Sequence, residues 1–200
     1  MGGMVSDTHA AASGLLARAA GVRADKPGIR ARDLAAEIGV SEAELVAARC
    51  GQGVRRLDGR WGTLIEALPS LGRIMSLVRN EYAVHEKVGQ YVDVTVNGNS
   101  GLVLGPDIDL RIFLQHWTSG FAVEEETKTG PRRSLQFFDA YGAALQKIYL
   151  REDSDLAGYD ALVGRHLGEN QSPILSVREP EPVKLEIPDE EVDVARLRER

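Results

Sequence analysis

Between residues 74 and 150, about eight short segments place apolar residues at every second position. Turn-forming residues separate these segments, and none of the connections is long enough to hold a helix. Because parallel strands need a crossover of about a dozen residues or more, the pattern predicts an antiparallel sheet. The predicted strands are residues 74–78, 82–88, 91–96, 102–104, 108–117, 121–126, 134–138 and 145–150.

The dipeptide Asn97-Gly98 is the strongest hairpin signal in this region. Both residue types tolerate the positive φ that a two-residue hairpin turn requires. We therefore expect the strands on either side of it to pair with each other.

The residues before the sheet are expected to be helical. Residues 10–20 are rich in Ala and Leu, and Lys26-Pro27-Gly28 interrupts this run. Ser41 and Glu44 have the spacing of a capping box, which predicts a helix start at this point. Further helices are predicted at residues 30–38 and 61–68 and, after the sheet, at 156–167.

These elements predict an α+β fold, in which N-terminal helices pack on a large antiparallel sheet of about eight strands and a C-terminal helix closes the domain. An acidic, proline-containing linker follows, and a charged helix predicted from residue 189 stops at Arg200. The expected boundaries are residues 1–168 for the domain, about 8–68 for its helices, about 72–151 for the sheet, about 155–167 for the closing helix and 169–200 for the linker with the truncated helix.

Charge and composition exclude several classes of protein. The net charge is −6, and residues 179–200 alone hold eight acids and four bases, so the rest of the chain is nearly neutral. Such a body lacks the basic surface of a nucleic-acid coat or an electrostatic membrane clamp. No apolar run approaches the roughly 18 residues of a membrane span, and Arg18 interrupts the N-terminal apolar stretch. Since Cys50 is the single cysteine, we expect a cytoplasmic protein without disulfides.

The predicted strand 108–117 carries the candidate site. Because side chains alternate across a strand, Arg111, Phe113 and Trp117 share one face, whereas His116 falls on the core face. A guanidinium beside two large rings suits a flat apolar ligand with carboxylates at one edge. The alternative is that Arg111 pairs with Asp109 or another acid while the rings pack under a helix.

Five motifs follow one another along the chain. They are Ala31-Arg32-Asp33-Leu34-Ala35, Gly39-Val40-Ser41-Glu42-Ala43-Glu44-Leu45, Arg79-Asn80-Glu81-Tyr82-Ala83-Val84-His85-Glu86, Asp109-Leu110-Arg111-Ile112-Phe113-Leu114 and Ser134-Leu135-Gln136-Phe137-Phe138-Asp139. Together they resemble the haemin-degrading and haemin-transport proteins of the HemS/ChuS type, from about Gly28 to the end of the chain. That family has two similar halves with haem bound in the cleft between them, and this chain resembles the first half.

The resemblance implies a role in bacterial haem uptake and iron acquisition, with protohaem IX as ligand or substrate. Arg111 matches the family arginine that approaches the haem propionates, and Phe113 and Trp117 are expected to contact haem. The family's axial histidine falls beyond Arg200, so no residue is assigned as a metal ligand and none as catalytic. The expected partners are haem and a second structural half, with no nucleic acid and no membrane insertion.

Two functions remain open on this resemblance. The first is an enzyme that opens the haem ring, like a haem oxygenase, with electrons from an external reductant. The second is a non-catalytic carrier that delivers haem to another enzyme. Both functions need the same pocket, and one half of the cleft is expected to bind haem weakly and degrade it poorly.

Two further hypotheses come from the residues alone. Residues 34–41 resemble a helix-turn-helix, although Glu42 and Glu44 would meet the DNA phosphates first, which favours simple helix packing. His85 and His116 are the histidines of the predicted sheet. Each could ligate haem, but the pattern favours a hydrogen-bonded structural role.

Overall fold

The strands form two antiparallel sheets instead of the single sheet expected. The computed structural model describes residues 2–80, 82–128 and 130–179, with side chains from residue 8 onward. Its strands in these ranges are β1 (Val54–Arg56), β2 (Gly72–Arg79), β3 (Val84–Gln90), β4 (Val94–Asn97), β5 (Ser100–Leu104), β6 (Asp109–Phe113), β7 (Ser119–Thr127), β8 (Gly130–Phe138) and β9 (Ala144–Ser154). The large sheet has the order β1-β7-β8-β9-β2-β3, and the small sheet has the order β4-β5-β6. The α+β class is confirmed, while β1 was not predicted.

The chain leaves the large sheet after β3 at a buried polar contact. Tyr91 is fully buried, and its hydroxyl accepts a hydrogen bond of 2.6 Å from Gln146 Nε2 and lies 3.2 Å from Ser76 Oγ. Asp93 then takes a φ of 46°, the one positive φ among the non-glycine residues of the described ranges. This left-handed residue redirects the chain, so β4 starts a second sheet.

The hairpin between β4 and β5 confirms the predicted pairing but moves the turn by one residue. Asn97 pairs with Ser100, so the turn residues are Gly98 and Asn99. Gly98 has a φ of 56° and Asn99 is not in the positive range. Glycine at the first turn position is the requirement of a type II′ turn.

The helices predicted up to residue 167 are present, with adjusted ends. The capping box is confirmed, since Ser41 Oγ accepts from the Glu44 backbone N–H at 3.2 Å and Glu44 Oε2 accepts from the Ser41 N–H at 2.8 Å. Within the described ranges, none of the helices combines the length and apolar character needed to cross a membrane. The helices are α1 (Gly2–Asp25), α2 (Ala31–Glu37), α3 (Glu42–Ala47), α4 (Trp61–Ala67) and α5 (Leu156–Arg165).

The main core lies between the two sheets and is completed by α4 and α5. Trp61, the first residue of α4, packs directly on β7 at Gly120. A Cβ at Gly120 would lie 2.8 Å from the Trp61 ring, so this close approach requires glycine. The opposite face of the large sheet has a smaller core, where residues of α3 pack with Phe121 and Phe138.

Helix α3 has no free face for a DNA groove. Five of its six residues are buried, and Glu42 forms an ion pair with Lys147 of β9. A recognition helix must present its side chains to base edges, so the burial supports helix packing rather than the helix-turn-helix hypothesis.

Residues 168–179, which we call the strap, run along the domain without helix or strand. Arg56 of β1 holds this segment, because its guanidinium donates to the carbonyls of Ser172 at 2.8 Å and Ile174 at 3.1 Å. The Arg178 backbone N–H donates to the Ala140 carbonyl at 2.8 Å. The first part of the predicted linker is therefore packed on the domain. The rest, including Pro180, Pro182, Pro188 and the helix predicted from residue 189, lies outside the described residues.

Candidate ligand-binding face

The outward face of the small sheet gathers an arginine and several apolar side chains. Directly paired residues of antiparallel strands point to the same side of a sheet, and β6 pairs Arg111 with Leu102 and Asp109 with Leu104. Phe113 lies on the same side and is 49% exposed, while Leu104 is 54% exposed. We call this outward surface of β4–β6 the ligand face.

Arg111 is exposed on this face. No hydrogen bond or ion pair joins its guanidinium to any residue in the described ranges, so the alternative pairing with Asp109 does not occur there. Two other arginines behave differently, since Arg49, in the turn after α3, binds Glu125 and Arg133 of β8 binds Glu124. The planar fork of Arg111 is thus free to bind a carboxylate in two parallel hydrogen bonds.

Trp117 does not share this face, and the prediction that it does is wrong. The strand ends at Phe113, and Leu114–His116 form a 3₁₀ turn that shifts the alternation of side chains. Trp117 is therefore only 7% exposed. Its ring stacks on Phe137 with centroids 4.1 Å apart, and its carbonyl accepts a 2.7 Å hydrogen bond from Trp61 Nε1.

The same turn reverses the prediction for His116, which is exposed rather than part of the core. His116 lines an open cleft of about 630 Å³ just beyond the end of β6, which we call the end cleft. The other lining residues come from the 3₁₀ turn and the residue before β7, the loop between β8 and β9, the start of β9, and the strap. They are Gln115, Thr118, Asp139, Ala140, Tyr141, Leu145, Ser176, Val177 and Arg178.

Sequence reasoning missed the apolar half of the ligand face and the whole end cleft. Leu102 and Leu104 were detectable, because β5 carries apolar residues on both faces instead of alternating. Tyr141 and Arg178 were not detectable, because long-range folding brings them to His116.

Comparisons with known proteins give a consistent result. A sequence profile described as "Haemin-degrading HemS.ChuX domain" matches residues 39–166. The hemin transport protein HmuS of Yersinia pestis is 45% identical over 146 residues, which are 72% of this chain and 42% of that protein.

Solved structures agree with the profile. Holo-PhuS, a heme-binding protein from Pseudomonas aeruginosa, matches with a TM-score of 0.86 and 45% identity over 94% of this chain and 55% of PhuS. ChuS, an E. coli heme oxygenase, matches with a TM-score of 0.70 and 38% identity over 80% of this chain and 50% of ChuS. The chain therefore spans about half the length of these relatives. Because the profile covers well over half of its residues, this chain belongs to the haemin-degrading HemS.ChuX domain family.

Proposed function

We propose that this chain binds haem on the ligand face and serves bacterial haem utilisation in the cytoplasm. The observation that carries the proposal is the guanidinium of Arg111, which has no partner among the described residues and shares an exposed sheet surface with Leu102, Leu104 and Phe113. Haem needs an apolar surface for its macrocycle and cations for its two propionates. Arg111 would hold a propionate, and Phe113 with Leu104 would cover part of the ring.

In this proposal Trp117 positions the ligand face and does not contact haem. Its buried ring fixes the end of β6 from the inside, through Phe137 and Trp61. The position of Phe113, four residues earlier, depends on this anchor. We therefore assign direct haem contact to Phe113 and not to Trp117.

For the full-length protein we propose haem degradation. Ring opening consumes oxygen and electrons, so an external reductant is required. This chain's own residues would orient the macrocycle through its propionate edge and shield one side of it. The chain spans about half of its two-half relatives, so residues 169–200 would link it to a second half that covers the other side. We propose that the axial histidine lies in that half, as the family resemblance implies.

A non-catalytic haem carrier is the second candidate function. The relatives are divided on this point, since HmuS is named a transport protein and ChuS a heme oxygenase. The ligand face is also open in this chain, with Phe113 half exposed. An open face suits the release of haem to another enzyme.

One experiment separates these functions. Haemin is titrated into the purified protein, and a reductant is then added under air. The enzyme predicts loss of the Soret band, a ring-opened bilin and liberated iron, whereas the carrier predicts a stable Soret band. If the protein takes up no haemin, both functions are wrong.

A further inference from the structure

Asp109 brings a negative charge onto the ligand face. It lies two residues before Arg111 on β6 and pairs directly with Leu104 of β5. Residues two apart on a strand lie on the same side of the sheet and roughly 7 Å apart along it. Asp109 and Arg111 are both exposed, so the face presents a carboxylate close to its guanidinium.

The fold does not use the carboxylate of Asp109. Within the described ranges, this carboxylate accepts no hydrogen bond and forms no ion pair. Two other exposed aspartates differ, since Asp153 and Asp160 each lie 3.9 Å from a guanidinium nitrogen, of Arg73 and Arg55 respectively. The charge of Asp109 is therefore not neutralised by an ion pair in this part of the chain, and it acts on a ligand that binds to the face.

The negative charges of the small sheet are concentrated at one end. Asp93, just before β4, and Asp107, in the turn between β5 and β6, are exposed at the same end as Asp109. The opposite end is formed by residues 97–100 and by Phe113, none of which is a charged residue. The face is therefore acidic at one end and uncharged at the other, with the guanidinium between them.

This distribution of charge suits a macrocycle that bears carboxylates at one edge only. When Arg111 binds a propionate and the ring covers Phe113 and Leu104, another edge of the ring would lie beside Asp109. Haem has uncharged vinyl and methyl groups at its other edges, and these groups tolerate a neighbouring carboxylate. A porphyrin with further carboxylates there would bring two negative charges close together, which costs binding free energy.

We infer that Asp109 is a specificity-determining residue, which restricts the ligand face to porphyrins whose carboxylates lie along one edge. The inference rests on the proposed function and deepens it by defining the class of porphyrin that is accepted. Arg111 attracts the propionate edge, and Asp109 repels carboxylates at the remaining edges. Repulsion of this kind discriminates against a wrong ligand without adding a contact to the right one.

The test compares haemin with ferric coproporphyrin III, which carries propionates in place of the two vinyl groups of haem. Each porphyrin is titrated into the 200-residue chain and its variants, and Soret absorption reports binding. The wild type should bind haemin more tightly. Asp109→Asn keeps the shape of the side chain and removes its charge. It should narrow the preference by about threefold or more, because coproporphyrin binding improves when a like charge at this distance is removed.

Glu152→Gln is the matched control, because Glu152 is an exposed acid on β9 of the large sheet with no ion pair among the described residues. It makes the same change in net charge and should leave the preference for haemin unchanged. Added salt should weaken the preference of the wild type, since it screens exposed charges. This salt series needs no variant, so it tests the inference even if Asp109→Asn misfolds.

The possible failures are distinguishable. If Asp109→Asn keeps the wild-type preference, or improves the binding of both porphyrins equally, Asp109 does not determine specificity while haem binding on the ligand face stands. The inference is also wrong if the wild type binds coproporphyrin as tightly as haemin, or if salt leaves its preference unchanged. If neither porphyrin binds, the proposed function fails and this inference fails with it. Circular dichroism establishes the fold of each variant.

Discussion

At the scale of single residues, the candidate site depends on an arginine that the fold does not use. Arg49, Arg132 and Arg133 all bind carboxylates of β7, namely Glu124 and Glu125. Arg111 makes no such contact within the described ranges and contributes little to stability. Its charge is therefore available to a ligand.

Replacing Arg111 should weaken haemin binding without unfolding the domain. We expect Arg111→Ala to lose about 1–3 kcal/mol of binding free energy, because a charge-assisted hydrogen bond to a propionate is removed. Arg111→Lys should recover part of this loss, since it keeps the charge but not the planar fork. Haemin titration measures both variants.

Arg151→Ala is the matched control for this prediction, because Arg151 is an exposed arginine on β9. It should bind haemin like the wild type. Equal affinities for Arg111→Ala and the wild type would remove Arg111 from the site.

The side-chain directions predicted from the sequence are correct for the residues within β6. Arg111 and Phe113 lie on the outward face as the alternation predicted. Trp117 and His116 exchanged sides because alternation applies only to extended backbone, and the 3₁₀ turn ends that backbone after Phe113. No local signal in Leu-Gln-His-Trp marks this turn.

At the scale of elements, Trp117 anchors the end of β6 in the core. Trp117→Ala should lower the free energy of unfolding by about 3–5 kcal/mol, as expected for removal of a buried Trp. Phe113→Ala, in the same segment but half exposed, should change stability by no more than about 0.5 kcal/mol and should weaken haemin binding instead. Urea unfolding compares the two variants. Equal stability losses would contradict the assignment of one ring to the core and the other to the ligand face.

A second element-scale contact joins α3 to the large sheet. The side chains of Glu42 and Lys147 are 7% and 11% exposed and form an ion pair. Lys147→Ala leaves the Glu42 carboxylate buried without its cation, which should cost about 3–5 kcal/mol.

The double variant Glu42→Leu/Lys147→Met tests the reason for this cost. It removes both charges and keeps comparable volume, so its stability should return toward that of the wild type. Urea unfolding of the single and double variants gives the comparison. A double variant less stable than Lys147→Ala would show that the pair itself stabilises the domain.

At the scale of the whole molecule, the class of fold was predictable and the division into two sheets was not. Short connections between strands dictate antiparallel pairing, and β2 to β9 follow from that pattern. The split into two sheets depends on Asp93, which has a φ of 46°. Aspartate occurs in many turn conformations, so its presence at this position does not predict a positive φ. The end cleft depends on the strap meeting the β8–β9 loop, which local patterns do not encode.

Acid should weaken the contact that joins the loop before α4 to the end of α5. Burial by itself would raise the pKa of Asp58, but hydrogen bonds from Arg60 and His166 outweigh it and hold the pKa below its usual value. A carboxyl group whose pKa is lowered in the folded state stabilises the fold at pH values above its ordinary pKa. This stabilisation is lost as the pH falls through the pKa of the folded state.

Asp58→Asn should therefore be less stable than the wild type at neutral pH, and the difference should shrink in acid. Urea unfolding across this pH range measures the effect. The pKa of Glu125 is also lowered, because Arg132 and Arg49 outweigh its burial, so some acid sensitivity should persist in the variant. A constant difference between the two proteins at every pH would contradict the role of Asp58.

The strap determines where the chain lies, relative to the end cleft, when it reaches Glu179. Since Arg56 and Ala140 fix the strap, the chain reaches Arg178 at the rim of the end cleft. A group joined to the chain beyond that point would meet a molecule bound there at an effective concentration set by the length of the connecting segment. A flexible insert after Glu179 would lower this effective concentration while leaving the contacts of the described residues intact.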